Sequence, residues 1–386
     1  MKHLLNRIAL LTLAMQLSLI AFDNPHFYRA TNLFPEPRIE HDYLGSFTAT
    51  LGKGSTTKSR NGNHKIVPLF DIYGINSFPI NNIAIDFSLD GTFKIIESNM
   101  LLVQNFARGF LLYFHLPLRN LQIKDLNFIN HSTVSEELFL SQLGTILANN
   151  NLNANPTNQT GVGDFTALIG ATHNYQNMQH LDYIDGTLAL GMLAPTGKTK
   201  NEHELFSLPL GYNGHWGFPI NIMFSLGCYE WITIGAHAST LFFAPRTQNI
   251  RINTNNDHYS GILQVDLIPA SVKKGMIWDT GTYFKADHFA YGLSFTAAYS
   301  YAGERKTIVN LCHQDDTICA NFNHNEALKG WNMHTLQLYA EYDFAKQDSK
   351  VGTRIGIFYN YQLGGTRVFK TNMNGGTFGL DIAWDL

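Results

Sequence analysis

His237 and Ser239 stand two positions apart in the segment ITIGAHASTLFF and are residue types that a nucleophilic hydrolase uses. In an extended strand this spacing places both side chains on one face, where a histidine can activate a serine hydroxyl. No acidic residue close by in the sequence supplies the third member of a catalytic triad. We therefore interpret His237 as a structural or interior side chain and expect the protein not to be an enzyme. Hydrolysis is kept as the weakest alternative.

Cys312 and Cys319 enclose the short segment HQDDTI in a region expected to be a loop. Two cysteines this close usually form a disulfide in an oxidising compartment, and this is the interpretation we favour. The alternative is a metal site in which His313, Asp315 and Asp316 add ligands, but the segment lacks the CxxC spacing of such sites. We expect neither a metal nor a cofactor.

Polar and charged side chains alternate with apolar ones in several segments of the chain. In TLQLYAEYDF, RIGIFYNYQL and TFGLDIAWDL, apolar residues occupy every second position. Successive side chains of a strand point to opposite faces, so each segment is a strand with one apolar and one polar face. The apolar faces carry no charged residue. We predict that the opposite faces line an enclosed interior, with His237, Gln337, Glu341, Asp343, Arg354, Asn360 and Asp381 as its pore-lining residues.

The composition limits the class of protein that would contain such strands. Charged residues are 15% of the 386 residues, compared with about 25% in ordinary soluble chains, and aromatic residues are 13%. The net charge of −3 argues against a nucleic-acid partner. Segment 1–21 joins Lys2 and Arg7 to an apolar run, which is typical of a cleaved signal peptide, with an uncleaved anchor helix as the alternative. No later apolar run has the length of a transmembrane helix.

An exported chain with these strands is expected to form a transmembrane antiparallel β-barrel, because only helices and closed barrels satisfy the backbone in lipid. We assign residues 22–386 to the barrel, with 22–80 as an N-terminal plug in the alternative. We expect 14 strands, or 12 if the first segments belong to the plug. They lie near 43–52, 66–76, 82–90, 92–105, 109–128, 163–176, 182–195, 215–229, 230–245, 275–287, 288–302, 331–345, 350–363 and 374–386.

The links between these strands are alternately short and long, which predicts short periplasmic turns and long extracellular loops. One long loop contains the segment TVSEELFLSQLGTILANN at 133–150. Its apolar stripe predicts a helix, with Ser132 or Thr133 as the N-cap. The helix could fold into the lumen, act as a lid or have no role.

Two short motifs carry a family resemblance. TGVGDFTALIG places Gly161, Gly163 and Asp164 at the start of a strand, and LALGMLAPTGK ends the next strand with Pro195-Thr196-Gly197-Lys198. This pattern, over roughly 161–245, resembles the outer-membrane barrels of phenol meta-cleavage pathways, which are distant relatives of the long-chain fatty-acid transporters. The resemblance implies a barrel that passes small, apolar solutes. From the residues alone, Pro195 and Gly197 end a strand at the rim and Gly163 allows a bend.

The predicted function is an outer-membrane channel or passive transporter for small solutes, with apolar solutes as one option. The alternative is a structural or adhesive surface barrel with a closed lumen. We expect localisation in the bacterial outer membrane, in contact with its lipid. The terminal strand, with Trp384 and the last residue Leu386, resembles the signal that barrel-assembly machinery recognises, so this machinery is an expected partner.

Overall fold

The computed structural model describes residues 44–80, 83–176, 181–229, 231–252, 259–311, 325–344 and 350–383. Three predictions concern residues outside these ranges and stay predictions. They are the signal peptide at 1–21, the disulfide between Cys312 and Cys319, and the role of Trp384 and Leu386 at the terminal strand.

The described residues are almost entirely β-structure. The strands are β1 (Leu44–Thr56), β2 (Lys58–Arg60), β3 (Ile66–Pro68), β4 (Asn76–Ile80), β5 (Ile83–Phe106), β6 (Phe110–Asn130), β7 (Thr157–Val162), β8 (Phe165–Gln176), β9 (Tyr183–Ala194), β10 (Gly217–Cys228), β11 (Ile232–Phe243), β12 (Arg246–Ile252), β13 (Asp266–Lys273), β14 (Ile277–Ala290), β15 (Leu293–Glu304), β16 (Ile308–Leu311), β17 (Asn332–Asp343), β18 (Val351–Thr366), β19 (Val368–Phe369) and β20 (Asn372–Ala383). Helix α1 spans Glu136–Asn149, and 3-10 turns lie at Ala107–Gly109 and Glu326–Leu328.

Twelve antiparallel strands close into a barrel. Their order around the ring is β1, β5, β6, β8, β9, β10, β11, β14, β15, β17, β18 and β20, and β20 pairs with β1 again. At this seam Leu44 lies opposite Ala383 and Ser55 opposite Asn372. The predicted barrel class is therefore confirmed, with the smaller of the two expected strand numbers. Strands β4 and β7 add to the sheet outside the ring and bring it to 14 strands.

Three of the predicted strand segments are wrong. Segments 82–90 and 92–105 form one 24-residue strand, β5, because Asp90 and Gly91 make a bulge in the pairing with β6 and the chain continues straight. Segment 66–76 contains only the three-residue strand β3, after which Leu69, Phe70 and Ile72 turn into a buried apolar cluster. The alternative of an N-terminal plug covered residues 22–80. In the described part of this range, β1 belongs to the barrel wall, and the segment with Leu69, Phe70 and Ile72 packs into the buried apolar cluster.

The two ends of the barrel differ. Leu44 and Ala383, where the described residues begin and end, lie at one end together with short turns such as Ala107–Gly109, and we call it the short-turn end. Loops 131–164 and 195–216 and the described segments 244–252 and 259–276 lie at the other, the long-loop end. Two small sheets, β12-β13-β16 and β19-β2-β3, belong to the long-loop end. The observed distribution of turns and loops is the one that the sequence predicted.

A cluster of buried apolar residues, the mouth core, forms where the long-loop end meets the barrel. Phe78 and Phe87 each contact Phe139 of α1, with ring centroids 5.5 and 5.7 Å apart. Phe70 contacts Phe206 of loop 195–216 at 4.7 Å. The remaining fully buried members come from β5, β6, the loops and β19, and include Leu69, Ile72, Leu89, Phe93, Leu121, Ile123, Leu143, Leu210, Leu263 and Phe369. Burial of so many apolar groups holds these loops in place.

Helix α1 begins later than the sequence suggested. Its N-cap is Ser135, whose Oγ accepts from the amide of Leu138 at 3.4 Å, whereas Ser132 bonds to Asn130 in the preceding turn. Phe139 and Leu143 are the buried residues of the helix, so it packs on the mouth core instead of lying free. Among the described residues, no helix combines the length and apolar character needed to cross a membrane.

Candidate functional site: the barrel interior

The interior is lined by alternate residues of the twelve wall strands. The outward residues between Leu336 and Tyr342 of β17 and between Ile355 and Leu363 of β18 are apolar or aromatic, and Ile357 is 68% exposed. The inward residues are buried or partly buried, and they include all seven of the predicted pore-lining side chains: His237, Gln337, Glu341, Asp343, Arg354, Asn360 and Asp381. That a solute passes these residues stays a prediction.

Arg354 organises the short-turn end of the interior. Its guanidinium donates two bonds to Asp381, with Nε–Oδ2 at 2.9 Å and Nη2–Oδ1 at 3.2 Å, and one to Glu341 at 3.0 Å. Nη2 also lies 3.2 Å from Ser46 Oγ on β1. One side chain of β18 therefore connects β17, β18, β20 and β1, and it crosses the closure seam. Asp343 lies beside this network, 3.8 Å from His288 Nε2.

A second buried ion pair, which the sequence analysis missed, lies near the long-loop end. Arg119 of β6 donates from Nε to Glu97 of β5 at 2.8 Å, and both side chains are 1% exposed. Asn99 donates to the other carboxylate oxygen of Glu97 at 2.7 Å. Glu97 and Arg119 are directly opposite in the β5–β6 register, which only the pairing of these strands could have revealed.

A band of polar side chains, the polar arc, covers one part of the interior. It runs over the six neighbouring strands from β10 to β18 and consists of Asn221, His237, Ser239, Asp279, Ser300, Thr335, Gln337, Asn360 and Gln362. All nine residues are at least nine-tenths buried. Gln337 donates to Ser300 at 3.1 Å, but many other polar atoms of the arc have no hydrogen-bond partner among the described residues.

Asp279 and His237 meet within the polar arc. Their closest approach is 3.8 Å, from His237 Nε2 to Asp279 Oδ1, which is longer than a hydrogen bond. Gly281 lies opposite His237 in the register, and a Cβ there would come within 2.5 Å of the imidazole Cε1. A glycine at 281 is therefore needed for His237 to occupy this position.

The hydrolase alternative can be compared with this geometry. The structure brings Ser239, His237 and Asp279 into one region, because Ser239 lies opposite Asp279 on the neighbouring strand. However, Ser239 Oγ and both His237 ring nitrogens have no hydrogen-bond partner in the described part of the chain. The serine–histidine hydrogen bond that defines a nucleophile–base pair is thus not formed.

The interior also contains a buried apolar cluster, which shares strands β5 and β6 with the ion pair of Glu97 and Arg119. This cluster, which we call the apolar wall, contains Leu101, Val103, Leu111, Tyr113, Leu168, Ala189, Met223, Tyr283 and Ala298. Its members on β5, β6, β8 and β9 lie in the part of the ring outside the polar arc. Met223 and Tyr283 extend it next to the arc, since Met223 lies directly opposite His237 in the register. The interior is therefore amphipathic in cross-section.

The motif that carried the family resemblance forms a clamp at the long-loop end. Asp164 Oδ1 accepts from the amide of Gly197 at 2.8 Å, and Oδ2 accepts from the amide of Tyr212 at 2.5 Å. Thr196 Oγ1 donates to the carbonyl of Gly163 at 2.7 Å. A Cβ at Gly163 would approach Pro117 Cγ within 2.7 Å, so the close packing explains this glycine. The clamp holds loop 195–216 against the mouth.

Loop 195–216 also reaches the interior ion pair. Arg119 Nη1 donates to the carbonyl of Leu210, which is fully buried in the mouth core. His215 of the same loop is buried, and its Nδ1 lies 3.0 Å from the carbonyl of Ala244. Burial lowers the pKa of His215 and favours its neutral form. The loop is thus anchored through backbone groups, and its neutral histidine adds no charge to the mouth.

We expect substitution of Asp164 by alanine to release this loop. The change leaves the amides of Gly197 and Tyr212 without an acceptor, at a cost of about 1–3 kcal/mol. Trypsin cleavage after Lys198 or Lys200 should then accelerate by about tenfold or more, because proteolysis follows the population of the open state. Asp86, an exposed acidic residue of β5, provides the control: Asp86→Ala should digest at the wild-type rate. Unchanged digestion of Asp164→Ala would contradict the clamp.

A closed antiparallel ring with an apolar outer surface and a polar, ion-paired interior defines an outer-membrane β-barrel. No family model matches the chain, and no curated protein matches it. Among solved structures it is similar to an outer-membrane channel from Pseudomonas putida F1, with a TM-score of 0.51 and 13% identity over 92% of this chain and 100% of that one. This likeness shows the fold and confirms, at that level, the resemblance drawn from residues 161–245.

Two further solved structures match more weakly. The monoaromatic hydrocarbon channel CymD aligns with a TM-score of 0.31 and 6% identity over 90% of each chain. A FadL homologue from Pseudomonas aeruginosa aligns with a TM-score of 0.30 and 9% identity over 88% of each chain.

Proposed function

We propose that the chain is a passive outer-membrane channel for small solutes and not an enzyme. The polar arc carries this proposal. A barrel whose lumen served only as a packed core would gain most from apolar side chains, because buried polar groups without partners cost free energy. Here many polar atoms on neighbouring strands have no hydrogen-bond partner within the described ranges, which suits a lumen that exchanges contacts with solute and water. The apolar wall supports the option of solutes with an apolar part.

The partners follow from the same proposal. The apolar outer surface would contact outer-membrane lipid, and the pairing of β20 with β1 gives the barrel-assembly machinery a terminal strand to deliver to the seam. No nucleic-acid partner is proposed.

The mouth core favours a second candidate, a structural or adhesive barrel that is closed. It joins α1, the loop segment before β4 and loop 195–216 into one buried cluster over the long-loop end. If this cluster never opens, the polar arc would be sealed from the surface. The two candidates therefore differ in whether the purified barrel conducts.

Single-channel recording in planar bilayers separates them. We expect the wild-type barrel to show discrete conductance steps, and replacement of 199–211 by a short Gly-Ser linker to raise the conductance, since this removes the loop from the mouth. Heat-modifiable gel mobility would establish that both barrels are folded. If neither folded barrel conducts, the channel function is wrong and the closed barrel is favoured.

A further inference from the structure

Four buried residues of the polar arc lie together in the barrel interior, and we call them the Asp279 cluster: Asn221, His237, Ser239 and Asp279. Asn221 lies opposite Ser239, and Ser239 lies opposite Asp279, on β10, β11 and β14. Neighbouring strands are about 4.8 Å apart, so the three side chains form a continuous row across the interior. His237 projects from the same face of β11, two residues toward the short-turn end.

The row consists of hydrogen-bonding groups that the protein leaves unused. Both carboxylate oxygens of Asp279, the Ser239 hydroxyl, and both polar atoms of the Asn221 amide have no hydrogen-bond partner among the described residues. Asp279 is 1% exposed and Ser239 is fully buried. By contrast, Glu97, Glu341 and Asp381 in the same interior are each bonded to an arginine. The His237 ring, whose Nε2 is 3.8 Å from Asp279 Oδ1, is too distant to hydrogen-bond this carboxylate. A buried carboxylate without an arginine partner is costly unless something else supplies positive charge or donors.

These observations indicate a ligand with a cationic, N–H-bearing head. The carboxylate oxygens, the serine hydroxyl and the asparagine carbonyl can all accept hydrogen bonds, and an ammonium group has three donors to give. A metal ion fits this cluster less well. Calcium and magnesium prefer several carboxylates or carbonyls, and the described residues hold no cluster of three metal-binding side chains.

The apolar wall defines the other half of the ligand. Met223 is the register neighbour of His237, and Tyr283 lies two residues beyond Gly281 on β14, so apolar surface begins directly beside the Asp279 cluster. Leu101, Val103 and Leu168 extend that surface over other strands. A molecule with an ammonium head and an aromatic or alkyl body could place each part on matching surface at once.

We propose that the interior binds small amphipathic ammonium compounds, with the charged head at the Asp279 cluster and the apolar body on the apolar wall. This inference rests on the proposed channel function, which it deepens by naming a solute class. It assigns Asp279 as the residue that selects for charge, and Ser239 and Asn221 as additional acceptors.

Isothermal titration of the detergent-folded full-length chain at pH 7 tests this with three ligands of similar size: benzylammonium, benzyl alcohol and benzoate. Each is also titrated into protein-free micelles to correct for partitioning. We expect benzylammonium to bind at least tenfold more tightly than the other two. Asp279→Asn should reduce its affinity to that of benzyl alcohol. Asp185→Asn, which removes an interior carboxylate near the short-turn end, should change it less than twofold.

Equal binding of the three ligands would overturn the inference. An equal loss of benzylammonium affinity in Asp279→Asn and Asp185→Asn would also overturn it. So would calcium binding that depends on Asp279 in a protein that does not bind benzylammonium. If Asp279→Asn fails the heat-modifiability check, the Asn221→Ala/Ser239→Ala double variant replaces it, with at least a threefold loss expected. The bilayer experiment is independent of this one. A conducting barrel that does not discriminate between the ligands refutes the inference alone, whereas a discriminating barrel that never conducts refutes the channel.

Discussion

Replacing Arg354 by alanine is expected to destabilise the barrel by about 3 kcal/mol or more, because it leaves Glu341 and Asp381 buried near each other without their shared cation. The loss should appear as a lower denaturant midpoint in an unfolding titration of the barrel in liposomes, followed by heat-modifiable mobility. The effect is large because the guanidinium is only 12% exposed and bonds to three other strands.

Two controls separate this network from a general effect of charge. Lys53→Ala removes an exposed cation of β1 and should change the stability by less than about 0.5 kcal/mol. Adding Glu341→Gln and Asp381→Asn to Arg354→Ala should recover part of the loss, since no unpaired carboxylate then remains at these positions. Wild-type stability of the single Arg354→Ala variant would show that the network does not hold the seam.

Replacing Ile357 by arginine is expected to destabilise the barrel in bilayers by about 2–4 kcal/mol, the cost of a charge on the lipid face near the middle of the membrane. Ile357 lies near the centre of β18, points outward and is 68% exposed. Leu363 points the same way on the same strand but lies six residues closer to the long-loop end. Leu363→Arg should therefore cost only about 0–1 kcal/mol, since the penalty falls toward the interface.

Unfolding of both variants in liposomes and in detergent gives the measurement. The difference between the variants should be clear in bilayers and smaller in micelles, because micelles adapt more easily around a charge. A packed soluble protein would give another result, in which the cost follows the local packing and does not depend on lipid. Equal stability of the two variants in bilayers would contradict the assigned membrane position of β18.

Alternation along single strands allowed the inward faces of β11, β17, β18 and β20 to be predicted, because a period of two needs no knowledge of the partner strand. Arg354 and Asp381 were therefore placed on the interior side from their positions alone. The barrel class followed from the same pattern together with the low charge content. These are local and compositional properties, and the sequence displays them directly.

What depends on strand pairing was missed. Asp279 was not recognised because its neighbours, Ser239 and Asn221, come from other strands, and β14 follows β11 only after 33 intervening residues. The pair of Glu97 and Arg119 was missed for the same reason. The Asp90-Gly91 pair was predicted to be a turn between two strands, but it forms a bulge within one strand. An Asp-Gly pair favours a hairpin turn and a bulge alike. The segment after Pro68 was predicted to be a strand because it is rich in apolar residues. In the structure these residues pack into the mouth core, which contains residues from several segments that are distant in the sequence.

The contacts of Arg354 also imply an order of assembly. Its partner Glu341 is 13 residues away and Asp381 is 27, whereas Ser46 is 308 residues away. Contacts between nearby segments form earlier because they close shorter loops at a smaller entropic cost. The hairpins of β17, β18 and β20 can thus pair Arg354 with both carboxylates before the first strand arrives. When β1 then pairs with β20, it adds only hydroxyl contacts to Arg354, among them that of Ser46. The ring therefore closes without burying an unpaired arginine in its last step.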